Sequence, residues 1–166
     1  YSDKDELSGR YVDTTAKNFS RTMDISCFSF TAVARAAYPL MVDNGGSMIT
    51  LTYYGAERVL PNYNVMGVAK AALEASVRYL ATDLGPDNIR VNGLSAGPMR
   101  TLAGSAIGSA RKIYNISEAN SPLRKSVTLD QIGNTALYLL GGSSSGVTGE
   151  IHHVDSGYNI IGMPYL

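Results

Sequence analysis

Tyr63 and Lys70 form the pair of side chains whose types and spacing most favour catalysis in this sequence. They lie seven residues apart near the start of a predicted helix, and seven steps of about 100° return a side chain to the same helical face. A phenol near a lysine ammonium can donate a hydrogen bond to an oxygen that develops negative charge, because the cation lowers the cost of that charge. Spacing alone is weak support, since the chain has 11 tyrosines, and purely structural roles for both residues are the alternative.

Tyr53 is the third residue of this candidate site. It ends the segment 47–53, a short apolar and β-branched run between turn residues, which is typical of a buried strand in a parallel sheet. Ligands of open parallel sheets bind beyond the carboxyl ends of the strands. We therefore expect Tyr53, Tyr63 and Lys70 to face one cleft.

The elements that position these residues alternate along the chain between helical and strand patterns. This order is typical of an α/β domain with a mostly parallel sheet, and no linker or internal repeat divides residues 1–166. Gly85 is the predicted C-cap of the second helix. The patterns predict helices at 14–42, 63–84 and 128–140, strands at 47–53, 89–94 and 151–154, and a loop with short helical pieces at 99–124.

Composition excludes several function classes. The 14 basic and 14 acidic residues balance, so the chain lacks the positive charge of a nucleic-acid-binding protein. No run approaches the about 18 apolar residues of a membrane span, and we expect no membrane partner. Cys27 is the single cysteine, which excludes an intrachain disulfide and a thiolate metal cluster. We expect a reducing, cytoplasmic location and no metal.

A rival pattern for catalysis lies at Gly142–Gly146, which matches the G-x-S-x-G motif of hydrolases and is followed by His152, His153 and Asp155. That motif requires a strand before the serine, a helix after it, and the acid before the histidine. Here a predicted helix precedes the serine, a strand follows it, and both histidines precede Asp155. The pattern therefore argues against a hydrolase.

Three segments carry a resemblance to a known family. The first runs Tyr53-x-Gly-Ala-Glu-Arg and continues as Pro61-Asn-Tyr-Asn-Val-Met-Gly-x-Ala-Lys70; the others are Arg90–Thr101 and Gly149–Tyr158. Together they resemble the short-chain dehydrogenase/reductase superfamily and, within it, the bacterial NADH-dependent enoyl-acyl-carrier-protein reductases. Those reductases carry Tyr-x6-Lys, as Tyr63 and Lys70 do, whereas common members of the superfamily carry Tyr-x3-Lys.

The resemblance implies a reaction, a cofactor and partners. NADH would give hydride to C3 of a trans-2-enoyl thioester carried by acyl carrier protein, in fatty-acid elongation. Tyr63 would donate a hydrogen bond to the thioester oxygen, Lys70 would bind the nicotinamide ribose, and Tyr53 would position the substrate or donate a proton. The family also implies a homo-oligomer, expected to be a tetramer, and apolar residues on more than one face of the helices at 14–42 and 63–84 are consistent with this.

Further site residues follow from the same resemblance. The segment after the second strand would border the nicotinamide and pyrophosphate, and small apolar residues beyond it suit a flap that closes over an acyl chain. The residues implied for cofactor binding, besides Lys70, are Met99, Arg100, Thr101, Leu102 and Ala103. Those implied for substrate binding, besides the two tyrosines, are Met66, Ala103 and Ile107.

The sequence departs from the family in one respect. No glycine-rich turn of the kind that cradles a cofactor pyrophosphate precedes Tyr53. We therefore expect residues 1–166 to be the C-terminal portion of a single Rossmann-like reductase domain, the second half of a doubly wound parallel sheet, inactive alone. Two alternatives stay open: a superfamily member acting on a 3-oxoacyl or hydroxy substrate, although those keep a serine where Tyr53 stands, and an inert portion that only oligomerises.

Overall fold

A parallel sheet forms the centre of the molecule. The structure, a computed structural model, describes residues 3–99 and 110–163. In these residues the sheet has three strands, β1 (Gly46–Thr52), β2 (Ile89–Ala96) and β3 (Ile151–Val154), in the spatial order β1-β2-β3 and all parallel. The predicted strands and their parallel pairing are thus confirmed. The register places Thr52, Ser95 and His153 side by side at the carboxyl ends.

The first helical region differs from the single helix predicted at 14–42. It consists of α1 (Ala16–Met23), a π-helical segment at Asp24–Phe28, and α2 (Ser29–Met41). The N-cap of α1 is Thr15, whose hydroxyl accepts a hydrogen bond from the Asn18 amide. The wider π turn buries Cys27 and brings its Sγ to 3.6 Å from the Ser76 Oγ.

Helix α3 (Asn64–Leu84) has the predicted bounds but ends differently. Gly85 stands at the helix end as predicted, yet its backbone is right-handed (φ −55°) and the chain continues into a 3-10 turn, Gly85–Asp87. The left-handed residue that stops the helical path is Asn88 (φ 56°). Asparagine tolerates this conformation better than most residues because its short polar side chain bonds locally.

Two further helices complete the described chain. Residues 110–120 form α4 (Ala110–Asn120), an eleven-residue helix, where only short helical pieces were expected. Helix α5 (Leu129–Leu140) begins at a capping box: the Thr128 hydroxyl accepts from the Gln131 amide, and the Gln131 side chain accepts from the Thr128 amide.

The helices cover the sheet on both faces. On one face Val77 and Ala81 of α3 pack against Val91, and on the other Ile132 and Leu139 of α5 pack against Leu94. This layering confirms the α/β class. It also leaves the carboxyl ends of all three strands at one uncovered edge, which is where the candidate site lies.

The first helical region leaves part of its apolar surface uncovered within this chain. Val33 and Leu40 of α2 are 63% and 82% exposed, and Phe28 is 47% exposed. Apolar side chains therefore form a solvent-facing surface on the first helical region.

Among the described residues, no helix combines the length and the hydropathy that crossing a membrane requires.

Candidate active site

A cavity of about 350 Å³ opens at the carboxyl ends of the three strands. Tyr53 follows β1, Ser95 to Pro98 end and follow β2, and Asp155 follows β3, and all of them line it. The opposite wall is more apolar and comes from the loop before α3 and from α4, with Leu60, Pro61, Ile113 and Ile116. The sheet topology thus produces a partly apolar pocket where ligands of parallel sheets bind.

Tyr63 lies directly against Tyr53. The two rings meet edge to face with their centroids 5.3 Å apart and their planes at 78°. The backbone around Tyr63 is unusual, since Asn62 (φ 60°) and Asn64 (φ 32°) both have positive φ. Gly55 lies under the Tyr63 ring so closely that a Cβ there would overlap the ring. A tight loop with a glycine therefore places the second phenol beside the first.

Both phenols are uncharged hydrogen-bond donors at neutral pH. Burial raises the pKa of Tyr53 to about 12, with Tyr158 and Tyr114 adding to the effect. Burial also raises the pKa of Tyr63, with smaller contributions from Tyr53 and Glu74. Among the residues that the structure describes, neither hydroxyl has a hydrogen-bond partner. The two O–H groups are thus free to bind a ligand.

Lys70 lies beside the end of β1. Its Nζ donates a 2.8 Å hydrogen bond to the carbonyl oxygen of Leu51. Burial lowers the pKa of the ammonium, and the negative charge of Glu74, with a smaller contribution from Cys27, opposes that shift. Lys70 lines neither the cavity of Tyr53 nor a second one, of about 360 Å³, that Tyr63 lines with Gly55 and Gly67.

The structure therefore brings the predicted residues together only in part. It joins Tyr53 and Tyr63 in direct contact, and the Lys70 side chain reaches from α3 to the carbonyl oxygen of Leu51, the residue before Thr52 in β1. Met66 is half-buried on α3 and lines neither cavity. Met99 is half-buried and packs against the cluster of Leu94, Ile132 and Leu139. The predicted residues Arg100, Thr101, Leu102, Ala103 and Ile107 lie outside the described residues.

Glu74 is a charged residue of this region that the sequence analysis missed. Only 7% of it is exposed, and it accepts a 2.6 Å hydrogen bond from the Thr52 hydroxyl, itself 4% exposed. Burial raises the pKa of the Glu74 carboxyl, and the hydrogen bond from Thr52 partly offsets that rise. Its spacing could have identified it in the sequence, since Glu74 follows Lys70 by four residues and shares its helical face.

Polar contacts of β3 complete the surroundings of the site. The His153 Nε2 and the Glu57 Oε1 lie 2.6 Å apart, which ties the loop between the two tyrosines to β3. The Asp155 carboxylate accepts hydrogen bonds from the backbone amides of Gly157 and Asn159. These contacts hold two walls of the cavity in place.

The rival serine motif has a structural role. Ser144 is 1% exposed and lies in a 3-10 turn, Gly142–Ser144. Its hydroxyl donates to the carbonyl oxygen of Tyr138 and accepts from the Arg90 guanidinium. A hydroxyl enclosed in this way is not a nucleophile.

In the described part of the chain, no group of acidic, histidine or cysteine side chains is arranged to hold a metal.

Comparison with known proteins gives the family of this site. A family model described as enoyl-(acyl carrier protein) reductase matches residues 1–159. The chain belongs to this family. It is 66% identical over 163 residues to enoyl-[acyl-carrier-protein] reductase [NADH] 1 of Rhizobium meliloti, covering 98% of this chain and 60% of that protein. It is 58% identical over 162 residues to the FabI reductase of Rickettsia felis, covering 98% of this chain and 62% of that protein.

Solved structures of the family share the fold. The enoyl reductase of Anaplasma phagocytophilum, solved in complex with NAD, matches with a TM-score of 0.95 and 58% identity over 100% of this chain and 63% of that one. The enoyl reductase of Aquifex aeolicus matches with a TM-score of 0.94 and 44% identity, over 98% of this chain and 63% of that one. The Rossmann-like α/β class is therefore confirmed. The chain spans about 60% of the length of the curated relatives it matches.

Proposed function

We propose that this chain supplies the phenol, the lysine and much of the acyl pocket of an NADH-dependent enoyl-acyl-carrier-protein reductase. The observation that carries the proposal is the contact between Tyr53 and Tyr63 at the end of β1, with both hydroxyls unpartnered among the described residues and Tyr53 lining a cavity. Membership of the enoyl reductase family supports the same reaction.

The residues present fit the nicotinamide end of a dinucleotide. The ammonium of Lys70 carries three donors at the end of β1, and ribose hydroxyls suit such a donor set. Lys70 would then exchange the Leu51 carbonyl for the ribose, and Met99 together with Arg100, Thr101, Leu102 and Ala103 would border the nicotinamide and pyrophosphate. The cofactor supplies the hydride when bound.

Tyr63 acts on the substrate. When hydride reaches C3 of a trans-2-enoyl thioester, negative charge develops on the thioester oxygen, and a neutral phenol donates a hydrogen bond to it. The raised pKa of Tyr63 keeps this donor protonated across the physiological range. One such donor is worth about 10²–10³ in rate. Tyr53 positions the thioester from the cavity side, where it can also donate a proton.

The cavity suits an acyl chain. Its apolar wall from Leu60, Ile113 and Ile116 excludes water from the carbons next to the reacting bond. Met66, Ala103 and Ile107 extend this pocket in the proposal, and acyl carrier protein presents the thioester at its mouth. The residue types at the sheet edge favour a neutral, elongated substrate over an anionic one.

Two further statements belong to the same proposal. Residues 1–166 form the C-terminal portion of a Rossmann-like reductase domain, which is consistent with their covering 60% of a curated relative. The complete protein is a cytoplasmic homotetramer. The exposed apolar side chains of Phe28, Val33 and Leu40 support an assembly that buries the first helical region.

The competing reaction is reduction of a 3-oxoacyl thioester by another type of superfamily member. The family match and the tyrosine at position 53 favour the enoyl substrate. The deciding experiment is an assay of the complete protein with crotonyl and acetoacetyl thioesters, each with NADH and with NADPH. We expect turnover of the crotonyl thioester with NADH; turnover restricted to the acetoacetyl thioester would overturn the proposal. The 166-residue chain alone is expected to oxidise no NADH.

A further inference from the structure

Two hydrogen bonds join α3 to the end of β1 at neighbouring positions. Lys70 donates to the Leu51 carbonyl oxygen at 2.8 Å, and Thr52, the next residue of the strand, donates to Glu74 at 2.6 Å. On the helix side Glu74 stands one turn beyond Lys70. The two bonds thus form adjacent links between the same strand and the same helix.

The second link, between Thr52 and Glu74, buries a carboxylate at a cost in free energy. A carboxylate that is 93% buried loses most of its hydration, and one neutral hydroxyl compensates only part of that loss. An apolar residue at this place would pack against β1 and β2 without that cost. The negative charge at position 74 is therefore best explained by a nearby cation that it stabilises.

Lys70 fits this cation better than Arg78, although each lies four residues from Glu74 on the same face of α3. Arg78 is exposed, whereas the Lys70 ammonium is desolvated at the strand end. A buried ammonium without a nearby negative charge tends to release its proton.

We propose that Glu74 is a positioning residue for Lys70: anchored by Thr52, it aligns α3 with the strand end and keeps the Lys70 side chain a cation there for the cofactor ribose. This inference rests on the proposed function. Glu74 touches neither substrate nor cofactor in this role; it acts through Lys70.

Other charged and titratable groups face this pair and enter the test. Glu74 is faced by Arg78 on its own helix, by Glu57 from the loop after β1, and by His153 from β3. Lys70 is faced by the Cys27 thiol from the π-helical segment. Glu57 and His153 also contact each other, with the Nε2 and Oε1 atoms 2.6 Å apart.

The test is the pH dependence of NADH affinity in the complete protein, measured by fluorescence titration without substrate. In the wild type we expect affinity to fall at alkaline pH as Lys70 loses its proton. Glu74→Gln keeps an acceptor for Thr52 but removes the charge, so the fall should begin about one pH unit lower, which weakens binding about tenfold at a fixed alkaline pH. The KM for the thioester should not change.

Matched variants separate the inference from a merely structural role. Glu150→Gln removes one exposed carboxylate of the same type and should leave the pH profile as in the wild type. Thr52→Val should shift the profile in the same direction as Glu74→Gln, and Thr52→Ser should restore it. If Glu74→Gln does not fold, as thermal unfolding would show, the two Thr52 variants decide.

The outcomes distinguish the two proposals. A complete wild-type protein that binds no NADH overturns the proposed function. A wild-type protein that binds NADH, with an unchanged profile in Glu74→Gln or in Thr52→Val, overturns the role of Glu74 alone.

Discussion

The ring of Tyr63 meets the ring of Tyr53 edge to face, with 5.3 Å between the centroids. One tyrosine follows a strand and the other precedes a helix, so the contact couples β1 to the amino end of α3. Each ring also shields the other from water, which contributes to the raised pKa of both phenols. This pair gives the site two neutral donors, Tyr53 on the cavity at the strand ends and Tyr63 on the neighbouring cavity.

Replacement of Tyr63 by phenylalanine removes one donor and preserves the ring contact. We expect kcat of the complete protein to fall about 10²–10³-fold while the Kd for NADH stays within about twofold, because the phenol acts on the thioester oxygen. Steady-state rates with crotonyl thioester check this. Tyr79→Phe, at a 74% exposed position of α3, is the matched control, and equal activity of Tyr63→Phe and wild type would contradict the assignment.

Replacement of Lys70 by alanine removes the ammonium at the end of β1. We expect the Kd for NADH to rise about 10–100-fold, since a charge-assisted hydrogen bond is worth about 1.5–3 kcal/mol. Calorimetric titration with NADH measures this. Lys17→Ala changes an exposed lysine of α1 and should leave the Kd unaltered; an unaltered Kd in Lys70→Ala would refute the ribose contact.

Gly67 and Gly133 are helical glycines with opposite surroundings. A Cβ at Gly67 would stand 2.8 Å from the Gly55 carbonyl oxygen, whereas a Cβ at Gly133 would meet nothing within 4 Å. Gly67→Ala should therefore lower the free energy of unfolding by about 1–3 kcal/mol, and Gly133→Ala should raise it by about 0.5–1 kcal/mol. Urea unfolding of the complete protein tests both signs, and a stabilising Gly67→Ala would show that α3 can move away from Gly55.

Alkaline pH should destabilise the fold through the buried phenols. Above pH about 10 the unfolded chain releases the proton of Tyr53, while the folded chain keeps it until the pKa of about 12. The unfolded state thus binds fewer protons in this window, and the free energy of unfolding falls as pH rises. Urea unfolding at several alkaline pH values measures the slope. Tyr53→Phe should make it shallower, and an identical slope would place the pKa of Tyr53 at its ordinary value.

Much of the fold follows from local pattern. The β-branched run at 47–53 and the capping box at Thr128 identify their elements because strand alternation and helix caps involve neighbours in sequence. The π segment could not be predicted in this way. The segment places Cys27 beside Ser76, which is 49 residues away in sequence, and no pattern among neighbouring residues indicates this contact.

In the candidate site, too, local pattern identifies some residues, whereas others are placed by contacts with residues distant in sequence. The spacing of Tyr63 and Lys70 and the position of Tyr53 after a strand are local, and they led to the contact and the cavity. Glu74 was missed because a glutamate on a helix is usually solvent-exposed. Its burial depends on Thr52, a residue of another element. The expectation that Tyr53, Tyr63 and Lys70 face one cleft stays a prediction; in this structure Lys70 donates to the Leu51 carbonyl oxygen.

The π-helical segment at Asp24–Phe28 gives the first helical region a phase that a regular helix would not have. A π turn closes with one residue more than an α turn, so it accommodates an extra residue while α2 keeps its orientation relative to α1. If the same residues formed a regular α-helix, everything after the segment would be rotated by about 100°. Ala34, now 1% exposed, would then turn outward, and another part of α2 would face α3. The segment therefore acts as an angular adjustment between the two helices.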